Sequence, residues 1–236
     1  MIVVTAAGGP TGTAVVRARD LPVRAVVARR GDRPELTALG AEVVVAELTA
    51  PMQWDRVLVG AQAMYLIWPN FDPDEAEGAP ALFAEARRAR LPRLVYHWVL
   101  HRPQLRAMQH HAAKDRAEEA LDGSDLRDVA GAAAVLLTED GLDGGTFEAA
   151  GPQALTAPRL AELIGARLGR DVVADDVVPG REVPTGYAAR CARAMVDHYR
   201  AHGFAGSPRL LTALLGRPPR TYAEHLVDVL TPEVKG

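Results

Sequence analysis

The feature that most constrains this chain is an alternation in its first hundred residues. Five short, almost continuously apolar runs are separated by alanine- and arginine-rich stretches of helical length. The runs are Ile2 to Thr5, Val23 to Val27, Glu42 to Val45, Ala63 to Trp68 and Leu94 to Trp98. Their unbroken apolar character is that of strands buried on both faces, hence of a parallel sheet. Parallel strands need crossovers. The stretches Thr11 to Ala18, the residues near Arg33 to Leu39, Trp54 to Val59, Pro80 to Arg90 and Leu105 to Leu121 are therefore read as helices. The pattern predicts an α/β fold, a doubly wound parallel sheet with helices on both faces.

Beyond Leu121 the pattern changes. Asp122-Gly123-Ser124 is a tight break, Asp125 to Thr138 an alanine-rich helix, Gly141 to Gly145 a turn and Thr146 to Ala149 a short strand. Thr156 to Leu168 is a helix with Thr156 as its cap, Pro158 in its first turn and Gly169 as its stop. Val172 to Val178 reads as a strand, and Tyr187 to His202 and Pro208 to Leu215 as helices. Residues 1–150 are thus expected to form a ligand-binding α/β domain and residues 151–236 a small, mostly helical cap that completes the substrate region.

Composition excludes several classes. The net charge is −3, lysine occurs only at 114 and 235, and the arginines are interspersed with acids, so no basic patch points to nucleic acid. A single cysteine, Cys191, excludes an internal disulfide and a cysteine-based zinc knuckle. No signal peptide or membrane span is legible, and a cytoplasmic location is expected. Trp54, Tyr65, Trp68 and Cys191 are read as core, and Asp171, Asp175 and Asp176 as a solvated turn.

Directly after the first strand stands Thr5-Ala6-Ala7-Gly8-Gly9-Pro10-Thr11-Gly12, followed by a helix. A strand feeding a glycine-rich turn and a helix amino terminus lets backbone N–H groups hold a pyrophosphate. The loop is similar to the Thr-Gly-Ala-Thr-Gly-Pro-Thr-Gly run of NmrA-like proteins, an atypical branch of the short-chain dehydrogenase/reductase superfamily. The likeness continues through Gly40 to Thr49, Leu94 to His101, His110 to Glu119, Asp125 to Ala130 and Gly216 to Tyr222. The resemblance implies a Rossmann-like fold with NADP(H) held by Thr5, Gly8, Gly9, Pro10, Thr11 and Gly12. It places Arg29 and Arg30 at the adenosine ribose, Glu47 and Leu48 at the adenine-side turn, and Ile67, Trp68 and Pro69 at the cofactor's middle. Guanidinium groups at the ribose favour a 2′-phosphate, hence NADP over NAD. Asn70 and Phe71, after the fourth strand, are positioned to touch substrate.

Three departures from the family matter. Ala6 replaces the first glycine of the loop, a position needing a tight turn. Trp98 stands near the superfamily's serine, and His110-x-x-x-Lys114 has the spacing of its Tyr-x-x-x-Lys with imidazole in place of phenol. His97, His101 and His111 join His110 as acid–base or substrate-contacting candidates, and a metal site is not expected. Finally, three residues separate Leu121 from the Asp125 phrase, where the family has several dozen. The sixth strand is expected to be missing and the exposed edge covered in a homodimer. Three functions follow: an NADP(H)-dependent reductase of a small carbonyl, quinone or polyketide-like molecule in bacterial secondary metabolism; a non-redox cyclase, isomerase or dehydratase using histidine; or a non-catalytic NADP(H) sensor.

Overall fold

A computed structural model describes residues 1–18, 22–28, 33–50, 53–97, 126–174, 185–202 and 206–230. Five strands, β1 (Ile2–Val4), β2 (Val23–Val27), β3 (Glu42–Val45), β4 (Ala63–Ile67) and β5 (Arg93–His97), form one parallel sheet in the order β3-β2-β1-β4-β5. Between them lie α1 (Pro10–Arg17), α2 (Pro34–Ala38), α3 (Trp54–Val57) and α4 (Glu75–Arg88). This is the Rossmann-like α/β arrangement, with five strands among the described residues and β5 as an outer strand.

Side chains alternate across each strand, so the apolar runs supply two cores. Val4, Ala25, Val27 and Tyr65 pack with α1 and with α5 (Leu126–Thr138) on one face. Val3, Val26, Met64, Leu66 and Trp68 pack with α3 and α4 on the other. Trp54, Tyr65, Trp68 and Cys191 are buried as expected. The remaining helices are α6 (Ala157–Leu168), α7 (Gly186–His202), α8 (Pro208–Leu215) and α9 (Tyr222–Val229). The Thr156 hydroxyl accepts from the Arg159 N–H, and Gly169 closes α6 at φ 66°. Among the described residues no helix is long and apolar enough to cross a membrane.

Several boundaries differ from the sequence reading. Helix α4 begins at Glu75, five residues before Pro80, which lies inside it on an exposed position. The proline gives up one helical hydrogen bond, offset by burial of Ala79, Leu82 and Ala86 on the sheet. Thr146 to Ala149 is not a strand; Ala149 instead packs with Ala132 and Leu211 as irregular chain. Val172 to Ala174 is not a strand either, and Val173 is exposed, while the rest of that segment lies outside the described residues. So does the expected helix Leu105 to Leu121. Helix α9 was not anticipated, although Thr221 and Glu224 carry the sequence signature of its capping box.

Two of the phrases quoted above meet in space. Asp128 in α5 is buried, accepts from Arg217 Nη2 at 2.7 Å and from the Arg220 backbone N–H at 2.5 Å, and so clamps the segment between α8 and α9. Arg127 and Arg220 both bind Asp228 in α9. Replacing Asp128 with Ala removes the buried acceptor from two donors at once and is expected to lower stability by about 3 kcal/mol. Urea unfolding of the two proteins, monitored by circular dichroism, measures it.

Candidate functional site

In an open parallel sheet the ligand crevice lies at the carboxyl ends of the strands, where strand order reverses. Here that point is between β1 and β4. Thr5 is buried there, and its Oγ1 accepts from the Ile67 N–H at 2.7 Å and donates to the Ile67 carbonyl at 2.8 Å. On the other side the Ala7 N–H donates to the Val26 carbonyl at 3.1 Å. Ala6, between these anchors, takes φ 45°, the left-handed conformation a glycine would adopt freely. The Gly9 N–H donates to the Ala6 carbonyl, and the Thr13 hydroxyl donates to the Ala7 carbonyl. A Cβ at Gly12 would lie 2.5 Å from the Ala6 carbonyl oxygen and 2.7 Å from the Ala7 Cα, so only glycine lets α1 start this close to the loop.

Helix α1 has Gly9 as its N-cap and Pro10 in its first turn, with no side-chain cap hydrogen bond. Its first N–H groups and its dipole therefore face the mouth of the loop, a setting that favours an anion. Arg33, the residue before α2, reaches the same loop: its guanidinium carbon lies 3.3 Å from where a Gly8 Cβ would be. Arg33 Nε is buried and has no hydrogen-bond partner among the described residues. The sequence reading singled out Arg29 and Arg30 of this turn, which lie outside the described residues. Arg33 was missed although it belongs to the same arginine-rich turn, because nothing in sequence says which arginine folds back.

After β3, the Glu47 N–H donates to Gln53 Oε1 at 3.1 Å and Trp54 Nε1 donates to the Glu47 carbonyl at 3.2 Å, while the Glu47 side chain is exposed. Leu48 lines a cavity of about 330 Å³ together with Thr49, Trp54, the α4 N-cap Asp74 and the α4 residues Glu77, Gly78, Leu82 and Glu85.

Across the switch point, Ile67 is half-buried and Pro69 and Asn70 are exposed. Trp68 is buried, its ring lying against Gly78 of α4, and Nε1 has no partner among the described residues. Phe71 takes φ 62°. Two non-glycine residues in the left-handed region, Ala6 and Phe71, thus follow the ends of β1 and β4, and such strain is typically held at ligand sites.

At the end of β5, His97 Nδ1 lies 2.7 Å from the Tyr65 hydroxyl, the rings meeting edge to face with centroids 5.6 Å apart. Burial holds the Tyr65 hydroxyl well above its usual pKa, so it stays protonated. On the opposite face Tyr96 donates to Glu75 Oε1 at 2.5 Å. Burial, then the negative charge of Glu75 and that hydrogen bond, raise the Tyr96 pKa far above its ordinary value. Tyr187 of α7 is pushed up to about 12 by burial, by its hydrogen bond with Cys191 and by the charges of Cys191 and Glu75, against the pull of Arg190. The sequence reading missed Glu75 and Tyr96; an acid in a first helical turn is a common dipole feature, and its burial has no sequence signal. Trp98, His101, His110, His111 and Lys114 lie outside the described residues. Among the described residues no group of three His, Cys, Asp or Glu could hold a metal ion.

No family model matches the chain. An NAD(P)H azoreductase of Xenophilus azovorans is 26% identical over 275 residues, covering 95% of this chain and 96% of the relative. The fold is shared with an NADPH-dependent quinone oxidoreductase of Escherichia coli solved with NADPH, at TM-score 0.75 and 21% identity over 98% of this chain and 100% of that one. A Citrobacter sp. triphenylmethane reductase complexed with NADP(H) superposes at TM-score 0.77 and 18% identity, covering 97% of this chain and 99% of that one.

The loop geometry sets opposite outcomes for two small changes. Ala6→Gly relieves the left-handed strain and is expected to add about 1 kcal/mol of stability, a rise of about 2–4 °C in Tm. Gly12→Ala forces α1 off the loop and is expected to lower Tm. Differential scanning calorimetry of both variants reads the two signs.

Proposed function

We propose that this protein is an NADP(H)-dependent oxidoreductase that reduces a small carbonyl, quinone or polyketide-like molecule. The observation that carries the reading is Arg33: a guanidinium laid over Gly8, with a buried Nε lacking a partner among the described residues, on the β2 side of the switch point. That is where the adenosine half of a dinucleotide lies, and a phosphate there satisfies the orphaned donor. The residues present fit the cofactor. Gly8, Gly9, Pro10, Thr11 and Gly12 would hold the pyrophosphate on the uncapped α1 terminus, and Arg33 the 2′-phosphate. The cavity lined by Leu48 would take the adenine, and Ile67, Asn70 and Phe71 would border the nicotinamide side. NADPH bound there supplies hydride. The chain's own residues bind and orient it, while Thr5 keeps β1 and β4 in register beneath it.

The names of the relatives support reductive chemistry on small molecules: one is called an azoreductase and others a quinone oxidoreductase and a triphenylmethane reductase. We assign the chain to the NmrA-like branch with an internal deletion after β5. The azoreductase alignment runs over 275 residues, more than the 236 of this chain, which supports such a shortening. In this reading the 151–236 region caps the substrate, the β5 edge pairs in a homodimer, and the protein works in the cytoplasm.

Calorimetric titration tests the cofactor. Wild type is expected to prefer NADPH over NADH at least tenfold, about 1.4 kcal/mol. Arg33→Ala is expected to abolish that preference by weakening NADPH and leaving NADH nearly unchanged. No binding at millimolar nucleotide, or equal affinity for the two in wild type, overturns the NADP(H) reading.

A further inference from the structure

We propose that Glu75 is a positioning residue: it pins the turn after β4 from its far end and so holds Phe71, in its left-handed conformation, as a preformed contact for the substrate. The substrate part of the inference rests on the reductase reading; the pinning part does not.

Phe71 is the strained element. At φ 62° its Cβ crowds the backbone, and such a conformation persists in a non-glycine residue only where the surrounding structure leaves the chain no other path. The turn spans residues 68–74, between β4 and α4. Its near end is fixed at Ile67, whose N–H and carbonyl both bond the Thr5 hydroxyl. Trp68 comes next, buried with its ring against Gly78. Pro69 and Asn70 are exposed, and Phe71 beyond them is half-buried.

The far end needs a pin of its own, and Glu75 supplies it. The Asp74 N–H donates to Asp72 Oδ1 at 2.9 Å, which carries the chain from Phe71 into α4. Glu75, in the first turn of α4, is only 1% exposed, and its Oε1 accepts from the Tyr96 hydroxyl at 2.5 Å. An acid in a first helical turn ordinarily serves the helix dipole from the surface. Burial takes from Glu75 the water such an acid keeps, so its carboxylate is held by the chain instead of by solvent. Tyr96 pairs in register with Leu66, the residue before Ile67. The chain thus leaves the sheet beside Tyr96 and is brought back to Tyr96, with both ends of the turn held on neighbouring strands.

The turn stands at the carboxyl end of β4, on the side of the switch point away from Arg33, where the nicotinamide and its substrate meet in the reading above. A contact already in its bound conformation costs the substrate no ordering. Without the pin the Phe71 backbone relaxes, the competent turn is only fractionally populated, and the apparent substrate affinity falls by that fraction.

Hydrogen exchange in cofactor-free protein, read over residues 70–75 by mass spectrometry, tests the pin. Glu75→Ala is expected to exchange about tenfold faster than wild type there, the Asp74 N–H included. Glu75→Gln, which keeps an acceptor for Tyr96, is expected to stay close to wild type. Equal rates in Glu75→Ala and wild type overturn the pin. NADPH oxidation with 1,4-benzoquinone reads the substrate contact. Glu75→Ala is expected to raise the quinone KM about tenfold with kcat and the calorimetric NADPH Kd unchanged, a split that a general loosening of the fold would not give. Phe71→Ala is expected to raise KM as well, and Glu75→Ala added to it to raise KM little further, since Glu75 acts through Phe71. An unchanged KM in Glu75→Ala, or effects of the two changes that multiply, overturns the positioning role. Tyr96→Phe, which removes one hydroxyl, is expected to shift exchange and KM the same way and decides the matter should Glu75→Ala not fold. Wild type that binds NADPH and leaves the quinone unreduced overturns the quinone reading and the substrate contact with it, while hydrogen exchange still decides the pin.

Discussion

Helix α1 starts so close to the loop before it that a single methyl group at Gly12 would collide with the Ala6 carbonyl and the Ala7 Cα. Much of the site's layout follows from that approach. The loop must turn within two residues, so Ala6 is driven to φ 45°, and it can stay there because both flanks are anchored. Thr5 binds the end of β4 and Ala7 binds β2. The same anchors tie the loop to both neighbours of β1, at the point where the strand order reverses. A loop less tightly tied would relax the strain at Ala6 and lose the aim of the α1 amino terminus.

How much of this was legible in sequence depends on whether the signal is local. The strands were, because a continuous run such as Val23 to Val27 has no other comfortable state than a doubly covered strand, and its ends match the structure. The caps at Thr156 and Gly169 were legible for the same reason: their hydrogen bonds and φ values are set within a few residues. Pro80 misled because it normally marks a helix start, whereas here the burial of Ala79 and Leu82 extends the helix through it. Thr146 to Ala149 misled in the opposite sense. It has strand-like residues but no strand beside it among the described residues, and strand formation depends on a neighbour that sequence does not name.

The candidate site was legible only in part, and the division is again physical. Glycine spacing reports a backbone path, so the turn through Gly8 and Gly9 into α1, with the close approach at Gly12, could be read from it. Side chains that reach across elements carry no such record. Arg33 folds back over Gly8 from the far side of β2, Glu75 meets Tyr96 from another helix, and Tyr65 meets His97 from the next strand. Tyr65 reads in sequence as one more aromatic in an apolar run, and it is indeed core. Its hydroxyl is what makes it more than core, and only the position of β5 reveals that.

The conserving and the binding parts of the molecule can be told apart by whether their polar groups are satisfied. Asp128 is buried with Arg217 and the Arg220 N–H both donating to it, so that cluster is complete within the chain and reads as structure. The glycine loop is the reverse case. It holds a strained Ala6, an α1 terminus without a side-chain cap, and a buried Arg33 Nε without a partner among the described residues. Each is unfavourable in the free protein, and all three face one short stretch of backbone. An anion at that spot satisfies the helix terminus and the guanidinium together, so the free energy left unspent in folding becomes available for binding. In the reading proposed above, the arrangement suits a ligand with two negative centres set apart along the crevice, one over the helix and one at Arg33, the charge pattern of a dinucleotide carrying a further phosphate.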